Sequence, residues 1–267
     1  MAFIPVSDNP GTRRRRFPFV NYALISANIA VYVYGILLPG NGGSCLAAAY
    51  SVIPSTILHG QSVGPAFFAH YDGITGCAYG QPTPVFLTLI TAMFLHANFL
   101  HIAGNMIFLW VFGDNVEDRF GHIPYLLFYL FCGLVAGVAQ IAATVYAGGN
   151  LNQLNLGASG AIAGALGAYL VFFPGSRVKT LIFIGFFITI ATLNAVIVIG
   201  LWFVLQLFDA LVSLNPQYVQ SGGVAYFAHV GGFVAGLLIA LLVRLFGKAP
   251  APVSYPRYPA HRDSRGG

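Results

Sequence analysis

Charge is what this chain lacks. Of its 267 residues, 12 are Lys or Arg and 7 are Asp or Glu, so only 7% carry charge. A soluble domain of this length needs roughly a quarter of its residues charged to dress its surface, so a water-soluble globule is excluded. No His-Glu-x-x-His run occurs, which removes the usual helix-borne zinc hydrolase signature. No Ala-x-Ala-like cleavage site follows the first apolar run, which therefore reads as a helix that stays rather than a cleaved signal. There is no internal repeat.

What is present is apolar: 57% of residues are hydrophobic. Runs long enough to approach or cross a bilayer occupy 18–38, 98–113, 123–146, 159–173, 193–212 and 224–246. The fourth is short. The stretch 181–192 would make the fifth run too long for one helix if joined to it. It reads as an interfacial or re-entrant segment ending near Thr192-Leu193-Asn194. The expected fold is an all-α polytopic membrane protein with six transmembrane helices. A basic tail (1–16) precedes the hydrophobic domain (17–246), and a proline-rich tail (247–267) follows it. Both tails read as unstructured. Segment 39–85, with glycines at 42, 43, 60, 64, 73, 76 and 80, reads as a partly ordered external loop.

The few cations set the orientation. Arg13 to Arg16, Arg119, Arg177, Lys179, Arg244, Lys248, Arg257, Arg262 and Arg265 all fall on the side of the N-terminus in a six-span topology. The positive-inside rule then places both termini in the cytoplasm of a cell-membrane protein. The net charge of +5 is this bias and not a nucleic-acid surface, since Arg13 to Arg16 abuts a span. Cys45 and Cys77 would both lie in the outer loop, where they could pair, although spacing alone does not show it.

Against this apolar background the sequence Leu156-Gly157-Ala158-Ser159-Gly160 stands out. It puts a hydroxyl, flanked by glycines, at the first turn of an apolar helix, where free backbone N–H groups can face a developing oxyanion. Ser159 is fifteen residues before Pro174, and His229 is fifteen before Arg244. At 1.5 Å per residue both sit roughly 22 Å above the inner boundary of a core about 30 Å thick. His101, thirteen residues before Asp114, comes out at roughly 20 Å, with Asn105 one turn deeper on the same face. Small residues flank the pair: Ala163, Gly164 and Gly167 lie beside Ser159, and Gly232, Gly236 and Ala240 share a stripe with His229. Such stripes let membrane helices approach until backbones nearly touch, within reach of a Ser–His hydrogen bond.

Four ordered motifs carry a resemblance. They are Phe94-Leu95-His96-Ala97-Asn98-Phe99-Leu100-His101-Ile102-Ala103-Gly104-Asn105-Met106, Gly113-Asp114-Asn115-Val116-Glu117-Asp118, Gly157-Ala158-Ser159-Gly160 and Ala228-His229-Val230-Gly231-Gly232. Together they resemble the rhomboid intramembrane serine proteases over about 17–246. The resemblance implies a six-helix core with Ser159 as nucleophile and His229 as its general base. It also implies an oxyanion hole formed by His101, Asn105 and the serine's own N–H. No acid third member, cofactor or metal is implied. Many members carry a Trp-Arg pair in the first outer loop where this chain has Leu87-Thr88.

Other readings of these residues are structural. His101 alone could be interfacial, His229 alone a packing histidine, and Glu117 a structural acid near the inner end of the second span. Zinc held by His96, His101 and His229 is disfavoured, because residues five apart on a helix point about 140° from each other. His96 instead reads as bonding the outer loop at the helix start, and Gly133-x-x-x-Gly137 as packing. Asp209, an acid within the fifth span, is a functional suspect. The fifth span has no small-residue stripe along Trp202 to Leu211. It is the expected moving element, held in place by Trp202, Phe203 and Gln206. Two functions compete. One is an endopeptidase hydrolysing bonds in or beside transmembrane segments of other proteins; the other is a non-catalytic relative that binds client helices in the bilayer.

Overall fold

The computed structural model describes residues 2–10, 16–71, 73–184, 187–214 and 224–247. Five helices are long and apolar enough to cross a membrane: α1 (Phe19–Leu37), α2 (Phe99–Phe120), α3 (His122–Tyr146), α5 (Ala195–Val212) and α6 (Tyr226–Phe246). Between them stands a shorter helix, α4 (Ser159–Phe172). The protein is an integral membrane protein built as a helical bundle. Its outward residues are those a bilayer would solvate, among them Ile36, Leu127, Phe208 and Leu238, each more than half exposed.

α4 is the centre. From Gly160 to Tyr169 every residue is buried, which only a helix without a polar face can tolerate. Its glycines set the spacing. A β-carbon at Gly236 would stand 2.0 Å from the Gly164 carbonyl oxygen, and one at Gly232 would stand 2.0 Å from the Gly160 oxygen. On the other side, β-carbons at Gly160 and Gly164 would meet the Cβ atoms of Ala136 and Cys132 at 2.5 Å. α4 is thus clasped between α3 and α6 at backbone contact, as the small-residue stripes require.

α1 and α2 meet through buried polar groups. The Glu117 carboxylate accepts from the backbone N–H groups of Val20 (3.0 Å) and Asn21 (2.7 Å), which are orphan donors in the first turn of α1. Residues Leu109–Gly113 of α2 form a π-helical turn. The Leu109 carbonyl there accepts from Asn21 Nδ2 at 3.0 Å, and Tyr125 donates to Asn21 Oδ1 at 2.9 Å. Gly113 admits this group, since a β-carbon would lie 2.1 Å from Asn21 Oδ1. Glu117 is structural, as its sequence position suggested.

Two expectations are corrected. Residues Ala2–Asn9, read as an unstructured tail, form strand β1. The segment read as interfacial or re-entrant forms an antiparallel hairpin, β2 (Arg177–Ile184) and β3 (Phe187–Asn194). β1 completes a three-stranded sheet in the order β1-β2-β3, with Ala2 opposite Phe183 and Asn9 opposite Arg177. The β-branched residues Thr180, Ile182, Ile188, Thr189, Ile190 and Thr192 favour this geometry over helix. The sheet is tied to the bundle where α2 and α4 end: Asn115 Nδ2 donates to Asp8 at 2.9 Å, and the Tyr169 hydroxyl also donates to Asp8.

Residues 39–85 are more ordered than their glycines suggested. They contain short helices at Gly42–Tyr50, Pro54–His59 and Pro65–Tyr71 around a small core of Ala48, Ala49, Ile53 and Phe68. Cys45 and Cys77 are joined by a disulfide. At the opposite end Arg16 binds Asp118, Arg119 lies 5.0 Å over the Phe172 ring, and Arg244 donates to the Val171 carbonyl. The cationic residues Arg13 to Arg15 and those of 248–267 lie outside the described residues.

Candidate active site

Ser159 is the first residue of α4, and the turn before it is fixed by geometry only glycine adopts easily. Gly157 has φ +128°. Its N–H donates to the Ala92 carbonyl at 2.9 Å, pinning the incoming chain to the segment that precedes α2. A β-carbon at Gly157 would stand 2.9 Å from Cε1 and Nε2 of His101 and 3.7 Å from Ser159 Oγ. The His101 ring therefore lies edge-on to the turn that delivers the serine.

His229 lies in the first turn of α6. The Gly160–Gly232 and Gly164–Gly236 contacts draw α6 onto α4, and the outcome is a 2.7 Å hydrogen bond between His229 Nε2 and Ser159 Oγ. The other ring nitrogen, Nδ1, is 2.5 Å from Gln206 Oε1 on α5. With an amide oxygen, which only accepts, against Nδ1, the ring is placed to carry its proton there and to turn Nε2 towards the serine hydroxyl. Trp202, one turn before Gln206, packs against the imidazole with ring centroids 5.8 Å apart. His229 is buried, at 7% exposure.

α2 brings the remaining two groups. Asn98 caps the helix, its side chain accepting from the His101 N–H at 2.9 Å, which fixes the turn that carries His101. Asn105, on the same face, is buried, and its amide Nδ2 has no acceptor among the described residues. A buried donor without a partner is costly in a folded protein and is the kind of group a transient oxyanion would satisfy. Beside Ser159 a cavity with about 60 Å³ of room for water is bounded by Val52, Ala92, Gly133, Gln140 and Leu156.

Of the four polar residues singled out in the sequence, Ser159 and His229 are bonded to each other and His101 lies against the turn that delivers the serine, while Asn105 is buried on the helix that carries His101. One argument about His96 changes. His96 lies before the helix start at Phe99, so the 140° argument does not apply to it. Its ring packs edge-on against His101 at 5.1 Å, and both its nitrogens are buried without a hydrogen-bond partner among the described residues. Among the described residues no three His, Cys, Asp or Glu side chains are grouped to hold a metal ion. Asp209 is half-buried on α5 beyond Gln206, and it is Gln206 that reaches His229. The available signal was a lone amide within an apolar span, where a polar side chain is functional by default. The sequence placed Gln206 among the residues that hold the fifth span, without a partner on His229.

The fold and site define a helical membrane bundle in which a serine at a helix N-terminus is bonded to a buried histidine. The Rhomboid domain model matches residues 84–246, and the chain belongs to the rhomboid family. It is 28% identical over 236 residues to RHOMBOID-like protein 1 of Arabidopsis thaliana, covering 85% of this chain and 53% of that one. Similarity to Rhomboid protease GluP of Bacillus subtilis is 30% over 165 residues, covering 60% and 27% respectively. Rhomboid protein 1, mitochondrial, of Saccharomyces cerevisiae is 26% identical over 154 residues, covering 57% and 40%. The chain spans about half the length of these relatives or less. Of these relatives, the Bacillus subtilis protein is named a rhomboid protease.

Proposed function

We propose that this protein is a serine endopeptidase that hydrolyses peptide bonds in or next to transmembrane segments of other proteins. The observation that carries the reading is the 2.7 Å bond between His229 Nε2 and Ser159 Oγ. As the carbonyl is attacked, neutral His229 takes the hydroxyl proton and later returns it to the leaving amine. Ser159 forms the acyl-enzyme, and water from the adjacent cavity releases it. The oxyanion is held by Asn105 Nδ2, His101 and the Ser159 N–H at the start of α4. The dyad uses no cofactor or metal.

The hydrophobic domain of 17–246 is the catalytic unit, with β1 added to it from the preceding segment. Both termini lie in the cytoplasm of a plasma-membrane protein, a reading supported by the distribution of Lys and Arg. The partners are the bilayer and transmembrane substrates.

The test is labelling of the purified protein by a serine-directed fluorophosphonate, paired with cleavage of a transmembrane substrate in liposomes. Ser159→Ala should lose both labelling and cleavage, and His229→Ala should lose cleavage, with the variants still folded. A wild-type chain that binds a client helix but neither labels nor cleaves would make this a non-catalytic relative. Full activity in Ser159→Ala would end the assignment.

A further inference from the structure

His229 is gripped from the α5 side by two residues one turn apart. Trp202 packs against the ring at a 36° tilt, and Gln206 meets its edge at Nδ1. Phe203 stacks on Phe233 of α6 at 4.1 Å, so the three residues seat one face of α5 on α6. Gln206 is half-buried in an otherwise apolar stretch from Ala195 to Phe208. Mere solvation does not explain an amide there, because an amide placed in hydrocarbon without a partner is unfavourable.

We propose that Gln206 is a positioning residue: its side-chain oxygen, carried on α5, holds His229 in the Nδ1–H tautomer with Nε2 aimed at Ser159. This rests on the dyad proposed above. An isolated neutral imidazole prefers its proton on Nε2, the nitrogen that must be bare here to accept the serine proton. The Gln206 oxygen reverses that preference without a carboxylate. When His229 becomes imidazolium during attack, the same oxygen continues to accept from Nδ1–H, and the bond strengthens as charge develops. Because α5 carries the acceptor, the base is aligned only while α5 is seated on α6. Gln206 thus does more than hold the fifth span in place: Gln206→Ala would disable the base.

Among the described residues the groups that could compete for the His229 proton are few. His101 faces it from α2, Ser159 from α4, Tyr226 from its own helix and Asp209 from α5 near Tyr226. None of these is bonded to Nδ1.

The experiment uses the full chain in nanodiscs with 15N-labelled histidine, the His229 signals being assigned by their loss in His229→Ala. The wild type should show a protonated Nδ1 and an unprotonated Nε2 at neutral pH. Gln206→Met keeps the length but removes the acceptor. It should shift His229 towards the Nε2–H form and lower kcat at least about tenfold with KM changed less than about twofold. Gln206→Glu should restore the Nδ1–H signal and most of the turnover. It should also move the acid limb of the pH–rate profile to higher pH, because a carboxylate stabilises the imidazolium. If Gln206→Met does not fold, the profile of Gln206→Glu decides. An unchanged tautomer and kcat in Gln206→Met, or an unmoved acid limb in Gln206→Glu, would overturn the proposal. So would an unprotonated Nδ1 in the wild type, which would mean that the amide donates rather than accepts. The tautomer reading needs no turnover, so it stands or falls separately from the protease assignment.

Discussion

The α-carbon of Gly236 lies over the carbonyl of Gly164 so closely that a β-carbon would come within 2.0 Å of the oxygen. One turn along the stripe, Gly232 stands in the same relation to Gly160, the residue next to Ser159. This contact sets the distance between the two helices that carry the serine and the histidine. Gly236→Val should push α6 off α4 and destabilise the bundle by about 1–3 kcal/mol or more. It should also abolish cleavage, although residue 236 lies about two turns from His229. Thermal unfolding in detergent together with substrate cleavage checks it. Wild-type turnover in Gly236→Val would show that the helix spacing does not matter.

The unpartnered Asn105 amide makes a kinetic prediction. A donor that binds only the developing oxyanion contributes to turnover and little to ground-state binding. Asn105→Ala should lower kcat on the order of a hundredfold, about 3 kcal/mol, while KM stays near its wild-type value. A loss expressed in KM alone would remove Asn105 from the oxyanion hole.

Gly157→Ala combines two penalties, an unfavourable φ and a methyl group 2.9 Å from the His101 ring. Its cleavage rate should fall at least as far as that of Asn105→Ala, with fluorophosphonate labelling of Ser159 slowed in parallel. Fast labelling with normal cleavage would mean that the turn tolerates a side chain.

The Cys45–Cys77 disulfide closes a loop with a sequence separation of 32. In the chain-entropy model that is worth roughly 3–4 kcal/mol. Mass spectrometry of the non-reduced protein should find the two cysteines linked. The double Ser variant should unfold at lower temperature. Two free thiols in the native protein would contradict the pairing.

Substrate conformation gives a further test. In an intact helix the backbone hydrogen bonds shield the scissile carbonyl, so a bound segment must be extended. Substrates carrying Gly or Pro near the cut should be cleaved faster than stiff all-Leu segments with the same flanks. Equal rates across such a panel would refute the unwinding requirement.

Much of this protein was legible because a membrane makes sequence unusually explicit. In hydrocarbon, helices must satisfy their own backbone, so apolar run lengths give the spans directly. A polar residue within a run marks a site because it has few other reasons to be there. Counting from the charged ends put Ser159, His229, His101 and Asn105 at one depth, and the glycine stripes showed which helices touch. Three features needed the folded chain, and two of them depend on pairing between distant segments. The sheet joins Ala2–Asn9 to Arg177–Ile184, a partnership that local periodicity does not encode, so the same residues read as a tail and an interfacial stretch. His96 was judged by helical angle, but α2 begins after it, and helix starts are among the least certain boundaries in a sequence. Gln206 bonds His229 across 23 residues and between two helices. Its sequence shows only that a polar group sits in the fifth span. The rotation and seating of α5 on α6, set by Phe203 against Phe233, decide which atom that group meets. Sequence determined which helices form and which residues must be buried with a partner; tertiary packing decided the partner.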